Sequence, residues 1–304
     1  TTEPALIQRF IEIYGHLPLS KQDAAGITID LSLSEAPLAP PIPDGWPVIS
    51  EDELVSYSGN EQVVKIRLPR YGLLTVELQS GRIRGVVTTN CLTTYGAFED
   101  VLMIALAPLY RRRAWFPLHA FAARSPGGQV ALISGAIGAG KTTTGLALLT
   151  AGWKLLSNDS PLLKLTEQGV RVLAYPGRLS AFDDSLARFS NLQSLIVGHS
   201  DGKRMFRAEE IFDSPWVDSG LAGGIFFSQV TPGLDRSDLT RLTPTAAMLQ
   251  LIPQAVEGWD KVTIEKHMQL LAALVEQAPC YDLRLAPSVM QLPALLANGM
   301  APIL

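Results

Sequence analysis

The chain has 304 residues, 47% of them hydrophobic and 18% charged. That apolar supply excludes a disordered protein, and the length predicts one large domain with a smaller one. A formal net charge of −4 carries no basic surplus that would point to nucleic acid or to an anionic membrane.

Cys91 and Cys280 stand far apart, with no CxxC spacing and no Cys/His cluster. They read as buried thiols in a reducing compartment. No apolar run approaches the ~20 residues of a membrane span, and Thr1-Thr2-Glu3-Pro4 lacks the basic-then-apolar pattern of a leader. A cytoplasmic protein with no membrane partner is expected.

In chain order, residues 5–14 place Leu6, Phe10, Ile11 and Ile13 at helical spacing, and residues 27–33 alternate as a half-buried strand. Residues 36–47 are proline-rich and read as a connection. Strands follow at 63–68, 73–78 and 83–88, separated by Tyr71-Gly72 and Ser80-Gly81 turns. The first part is therefore a small, mostly antiparallel β module over 1–96, a possible acceptor-recognition unit. Residues 97–113 read as a helix that Pro108 interrupts or kinks, ending in Arg111-Arg112-Arg113, a cationic end favoured by the helix dipole. Beyond it, 118–123 and 129–134 read as buried strands, 142–151 as a helix ending at Gly152, and 154–157 as another strand. Strand, loop, helix and strand make a βαβ unit, so 97–304 is expected to be an α/β domain with a mixed central sheet. Residues 245–251 and 264–277 read as amphipathic helices, and 280–285 as a terminal strand.

The chemistry concentrates between the strand at 129–134 and the helix that follows. Gly135-Ala136-Ile137-Gly138-Ala139-Gly140-Lys141-Thr142 satisfies G-x-x-x-x-G-K-[ST]. Glycines let the backbone approach phosphate oxygens, and the loop N–H groups with the helix N-terminus form an anion nest. Lys141 offers a point charge to the β- and γ-phosphates, the Thr142 hydroxyl suits Mg²⁺, and Thr143 extends the nucleotide contact. A chance match in a chain this long has a probability of about 1%. ATP with Mg²⁺ is the expected cofactor pair. No N-K-x-D element points to a GTPase, and no L-S-G-G-Q signature points to an ABC-type ATPase. Asp159, just past the strand at 154–157, is the candidate second metal ligand, although Ser157-Asn158-Asp159-Ser160 is also good turn chemistry.

The stretch from about 117 to 175 resembles the HPr kinase/phosphorylase-like kinases, related in their nucleotide site to phosphoenolpyruvate carboxykinase. The resemblance rests on Leu118-His119-Ala120-Phe121-Ala122 ahead of the P-loop and on Gly152-Trp153-Lys154-Leu155-Leu156-Ser157-Asn158-Asp159 after it. Tyr175-Pro176-Gly177-Arg178-Leu179 and Gly202-Lys203-Arg204-Met205-Phe206 add to it, the latter similar to the branch found in lasso-peptide gene clusters that phosphorylates a peptide hydroxyl.

The resemblance implies an ATP-dependent kinase acting on a serine of a peptide or small protein, with a homo-oligomeric assembly. It implies that His119, Lys141, Asn158 and Asp159 carry catalysis, that Thr142 and Asp159 hold the metal, and that Arg178, Lys203 and Arg204 are cations for phosphate or acceptor. Arg207 is a further candidate cation. The family pair is Asp-Asp, and here the first member is Asn158, which cannot act as a base. Either Asn158 orients the acceptor or a metal-bound water while Asp159 or His119 handles the proton, or the acceptor differs, or the chain binds nucleotide without transfer. A small-molecule hydroxyl kinase and a nucleotide-sensing module stand as alternatives. His16, His199 and His267 have no metal-like spacing and read as surface or structural, and Asp183-Asp184 reads as the first turn of a helix.

Overall fold

A computed structural model describes residues 2–15, 26–35, 45–198 and 202–300. His16, His199 and most of the proline-rich stretch at 36–47 lie outside the described residues. The chain forms two compact units: Thr1–Arg113 with Glu257–Thr263, and Ala114–Val256 with Ile264–Leu304. The composition shift near Gly96 falls inside the first unit, because the helix after it packs there, and seven residues from late in the chain also belong to that unit.

The first unit contains α1 (Pro4–Tyr14), β1 (Thr28–Ser34), β2 (Val48–Glu51), β3 (Ser56–Gly59), β4 (Val63–Leu68), β5 (Gly72–Glu77), β6 (Arg82–Thr88), α2 (Thr89–Thr93) and α3 (Ala97–Arg112). The strands form one sheet in the order β1-β6-β5-β4-β3-β2. All neighbours are antiparallel except β1 and β6. Period-2 alternation decides the faces: Val64, Ile66 and Leu68 of β4 and Leu74 and Val76 of β5 are buried, while Lys65, Arg67, Thr75 and Glu77 point the other way. Pro108 does not end α3, which runs unbroken to Arg112. The arginines at its end do more than complement the helix dipole. Arg111 Nε and Arg112 reach Asp260 at 2.7 Å, and Arg113 bonds the Gly26 carbonyl.

The second unit contains β7 (Trp115–Pro117), β8 (Ala120–Arg124), β9 (Val130–Ser134), α4 (Lys141–Thr150), β10 (Lys154–Ser157), β11 (Leu162–Thr166), β12 (Gly169–Leu173), β13 (Leu179–Ala181), α5 (Asp183–Leu186), β14 (Arg204–Phe206), β15 (Ser219–Val230), β16 (Asp238–Arg241), α6 (Pro244–Ala255), most of α7 (Lys261–Gln277), β17 (Cys280–Leu285) and α8 (Leu292–Gly299). Its main sheet is mixed, so the unit is an α/β domain. β15 runs parallel to β9 and to β17, and antiparallel to β12 through its first residues. β8 lies between β9 and β10, antiparallel to both. The two strands that flank α4 therefore run in the same direction without being neighbours.

Alternate residues of β9 feed two cores. Ala131 and Ile133 join Leu146 and Leu149 of α4 and Leu292 and Leu296 of α8. Val130 and Leu132 join Ala247 and Leu251 of α6 and Leu270, Leu271 and Leu274 of α7. Helices on both faces explain why β9 reads as a continuous apolar run. His267 belongs to the second core region, buried and stacked on Phe116 with ring centroids 4.3 Å apart. Cys91 and Cys280 are buried and not bridged, and burial pushes their thiols up to about 12 and about 11.

Two local features aim α4. Its end closes with Gly152 N–H on the Leu149 carbonyl and Trp153 N–H on the Leu148 carbonyl, with Gly152 left-handed at φ +85°. In its middle, Gly145 lets the helix approach the Phe121 ring on β8, since an added Cβ would stand well inside contact distance of that ring. Gly145→Ala is expected to lower stability by about 1–3 kcal/mol through overpacking, read as a reduced urea midpoint.

Candidate functional site

The site sits where β9, β15, β10 and β17 end and β8 begins. Parallel strands of an open α/β sheet offer ligands the crevice at their carboxyl ends. β9 delivers the chain at Ser134 into the loop 135–140, and α4 starts at Lys141. Gly135, Gly138 and Gly140 take φ of +148°, +80° and +90°, values open to glycine and costly for other residues. Gly135 also passes close to β15, where an added Cβ would lie 2.8 Å from the Ser228 carbonyl oxygen. Ile137, at the tip, is exposed.

Lys141 does not extend into solvent. Its Nζ donates to the carbonyls of Gly135 at 2.6 Å and Ala136 at 3.1 Å, folding the ammonium across the loop mouth. An ammonium has three donors, so one remains for a ligand. Burial lowers the pKa of this lysine; Asp159 opposes that shift and Lys203 adds to it. Asp159 and Lys203 thus both bear on the ammonium, with opposite charge.

The expected strand at 118–123 is broken at His119. β7 ends at Pro117 and pairs with β11, whereas β8 starts at Ala120 and pairs with β9 and β10. His119 lies between them, and its backbone is held on both sides. Its N–H donates to the Gln254 carbonyl at the end of α6 (2.9 Å), and its carbonyl accepts from Ser134 Oγ at 3.1 Å. Ser228 Oγ in turn donates to the Ser134 carbonyl at 3.2 Å. Ser134, Ser228 and Gln254 were not singled out in the sequence, because each acts through a partner at least 15 residues away.

Across from β8, the Ala120 N–H bonds the Asp159 carbonyl at 2.9 Å, and His119 Nδ1 lies 3.2 Å from Asp159 Oδ1. Both side chains are about half exposed, at 40% and 51%. The turn after β10 is capped by Ser157, whose Oγ accepts from the N–H groups of Asp159 and Ser160 at 3.4 and 3.0 Å. The Asp159 carboxylate is therefore directed at His119. A histidine that donates Nδ1–H to a carboxylate keeps Nε2 as a proton acceptor.

The remaining candidates separate. Asn158 Nδ2 donates to the Arg178 carbonyl at 3.1 Å. Arg204 is committed: its Nε and Nη2 grip both oxygens of Asp183 at 2.8 and 2.9 Å, and it also bonds the Val197 and Gly198 carbonyls. Arg207 pairs with Glu209 at 2.7 Å. Lys203 Nζ lies over the Phe182 ring, 5.6 Å from its centroid. Thr143 Oγ1 shares a 2.9 Å hydrogen bond with Ser185 of α5, so its side chain faces that helix.

No set of three or more His, Cys, Asp or Glu converges as a metal cage among the described residues. The candidate oxygen ligands near the loop are the Thr142 hydroxyl, next to Lys141 in α4, and the Asp159 carboxylate, whose charge acts on Lys141. That sparse oxygen set fits Mg²⁺, which keeps waters and takes one or two protein ligands with substrate phosphate oxygens.

Fold and site together define an α/β domain with a glycine-rich, lysine-braced loop at the carboxyl edge of a mixed sheet. No protein-family model matches the chain, and no curated protein matches it. Among solved structures, the chain is similar to the HPr(Ser) kinase/phosphatase from Coxiella burnetii at 14% identity, over 60% of this chain and 94% of that one, with a TM-score of 0.35. No helix of the described residues is long and apolar enough to cross a membrane.

Proposed function

We propose that the chain is an ATP- and Mg²⁺-dependent kinase that transfers the γ-phosphoryl group to a hydroxyl, the acceptor being a serine of a peptide or small protein. One observation carries the reading: the Lys141-braced loop and the His119–Asp159 pair meet at one sheet edge, joined by the Ser134–His119 hydrogen bond. The N–H groups of residues 135–143 and the Lys141 ammonium hold the phosphates. Thr142 and Asp159 hold Mg²⁺, which supplies charge neutralisation at the transferring phosphate. As the acceptor oxygen bonds to the γ-phosphorus and the bond to the ADP oxygen breaks, His119 Nε2 takes the hydroxyl proton and Asp159 supports the cation that results. Positioning and charge stabilisation carry most of such a transfer. The charge of Lys203 acts on the Lys141 ammonium and adds to the positive character of the site. The β-rich module over 1–96 is the proposed recognition element for the acceptor.

The test is transfer of labelled γ-phosphate from Mg·ATP to a panel of serine-containing peptides and small proteins. Label is expected on a panel member, with a loss of about 10²–10⁴-fold in His119→Ala, the range of general acid–base catalysis. ATP binding with no label on any member, or on water, would instead leave a small-molecule kinase or a nucleotide sensor.

A further inference from the structure

Asn158 occupies a position where a carboxylate base would be looked for, and its surroundings give it other work. Its amide nitrogen donates to the Arg178 carbonyl, an atom that can only accept, so the orientation of the amide follows from its partner. Arg178 ends the connection between β12 and β13. That connection has no strand partner, and Pro176 within it has no N–H. Upstream it is tied down by the Ala174 N–H on the Asp218 carbonyl at 2.8 Å and the Tyr175 N–H on the Leu156 carbonyl at 3.0 Å. Downstream it leads into β13, then Phe182 and α5, where Ser185 meets Thr143 of the P-loop helix.

We infer that Asn158 is a positioning residue that takes no proton: its donated hydrogen bond pins the 175–179 loop to the end of β10, and through that loop it sets Arg178 and the β13–α5 segment beside the P-loop helix. A carboxylate at this position has only acceptors to offer. It would face the Arg178 carbonyl oxygen across a distance that now holds a hydrogen bond, and the loop would have to move away. The aspartate variant is thus expected to damage this protein, whereas a missing base would make it a gain.

The structural half of this inference stands on the hydrogen bond alone; its effect on transfer rests on the kinase reading. Two readouts test it on the full chain. Amide hydrogen exchange over 174–181 is expected to rise roughly tenfold or more in both Asn158→Asp and Asn158→Ala, the scale of one lost bond to a part-buried acceptor, with β9 unchanged. In the transfer assay, kcat/KM is expected to fall by a similar factor in both variants. The loss is expected in kcat with the KM for Mg·ATP unchanged, because the Lys141 bonds that shape the nucleotide loop do not involve Asn158. Unchanged exchange over 174–181, a loss confined to the KM for Mg·ATP, or an Asn158→Asp protein that transfers faster than the parent would each overturn the inference. A parent protein that transfers nothing would sink the kinase reading, and the exchange arm would still decide this one.

Discussion

Lys141→Ala is expected to lower phosphate transfer by on the order of 10²–10³-fold or more, the scale of one lost charge-stabilising donor in a preorganised site. Two losses combine. The ammonium is the one positive side chain inside the loop, and its bonds to the Gly135 and Ala136 carbonyls brace the loop's shape. On the kinase reading, alanine removes the charge that would meet developing negative charge, and two loop carbonyls lose their donor. The fold should tolerate the change, since Lys141 is only half-buried and the two cores do not include it. Initial rates, nucleotide affinity and a thermal scan on one preparation separate these effects. A variant that kept a tenth of parental activity would take Lys141 off the phosphates.

Burial lowers the pKa of Lys141, and this adds a pH signature. On the kinase reading nucleotide binds the cationic lysine, so affinity is expected to be present below that pKa in the free protein and to fall as pH rises through it. The fall is expected at lower pH than a free lysine would give, and to be missing in Lys141→Ala.

Asp260→Ala is expected to destabilise the protein by about 3–5 kcal/mol, the cost of leaving a buried charge without its partner. Arg111 and Asp260 are 3% and 2% exposed. Their 2.7 Å bond, with that of Arg112, ties Glu257–Thr263 to the end of α3 within the first unit. Next to Asp260, Trp259 stacks on Tyr57 at 4.3 Å and lies 5.0 Å from the Arg111 guanidinium carbon. Alanine leaves Arg111 buried with no counter-ion, and the returning segment loses its anchor. Urea unfolding, with hydrogen exchange in β4–β6 as the reporter for the first unit, checks this. A shift below 1 kcal/mol would mean that water replaces the carboxylate at no cost.

Elements whose burial repeats with a short period were legible in the residues. β4, β10 and β17 fall at 63–68, 154–157 and 280–285, the bounds their apolar patterns suggest. α4 follows a loop whose glycines and lysine are defined by a motif. In each case the determining residues lie within one turn or one strand of each other.

Other elements carried no such local signal. β15, twelve residues with Gly223-Gly224 at its centre, owes its strand state to parallel neighbours on β9 and β17, and glycine lowers any local strand preference. β11 to β14 are short, and the sheet partners that hold them are distant in sequence or unmarked.

By itself, then, the sequence determined the glycine-rich loop, the α/β character of the second unit and the identity of the polar groups flanking the loop. Only the tertiary structure decided their work. Arg204 became a ligand of Asp183, Asn158 a donor to Arg178, and His119 the partner of Asp159. A side chain's capacity to donate, accept or carry charge is local. Which atom it meets depends on sheet register and loop closure between segments about 20 to 40 residues apart, and nothing in a short stretch of sequence encodes that meeting.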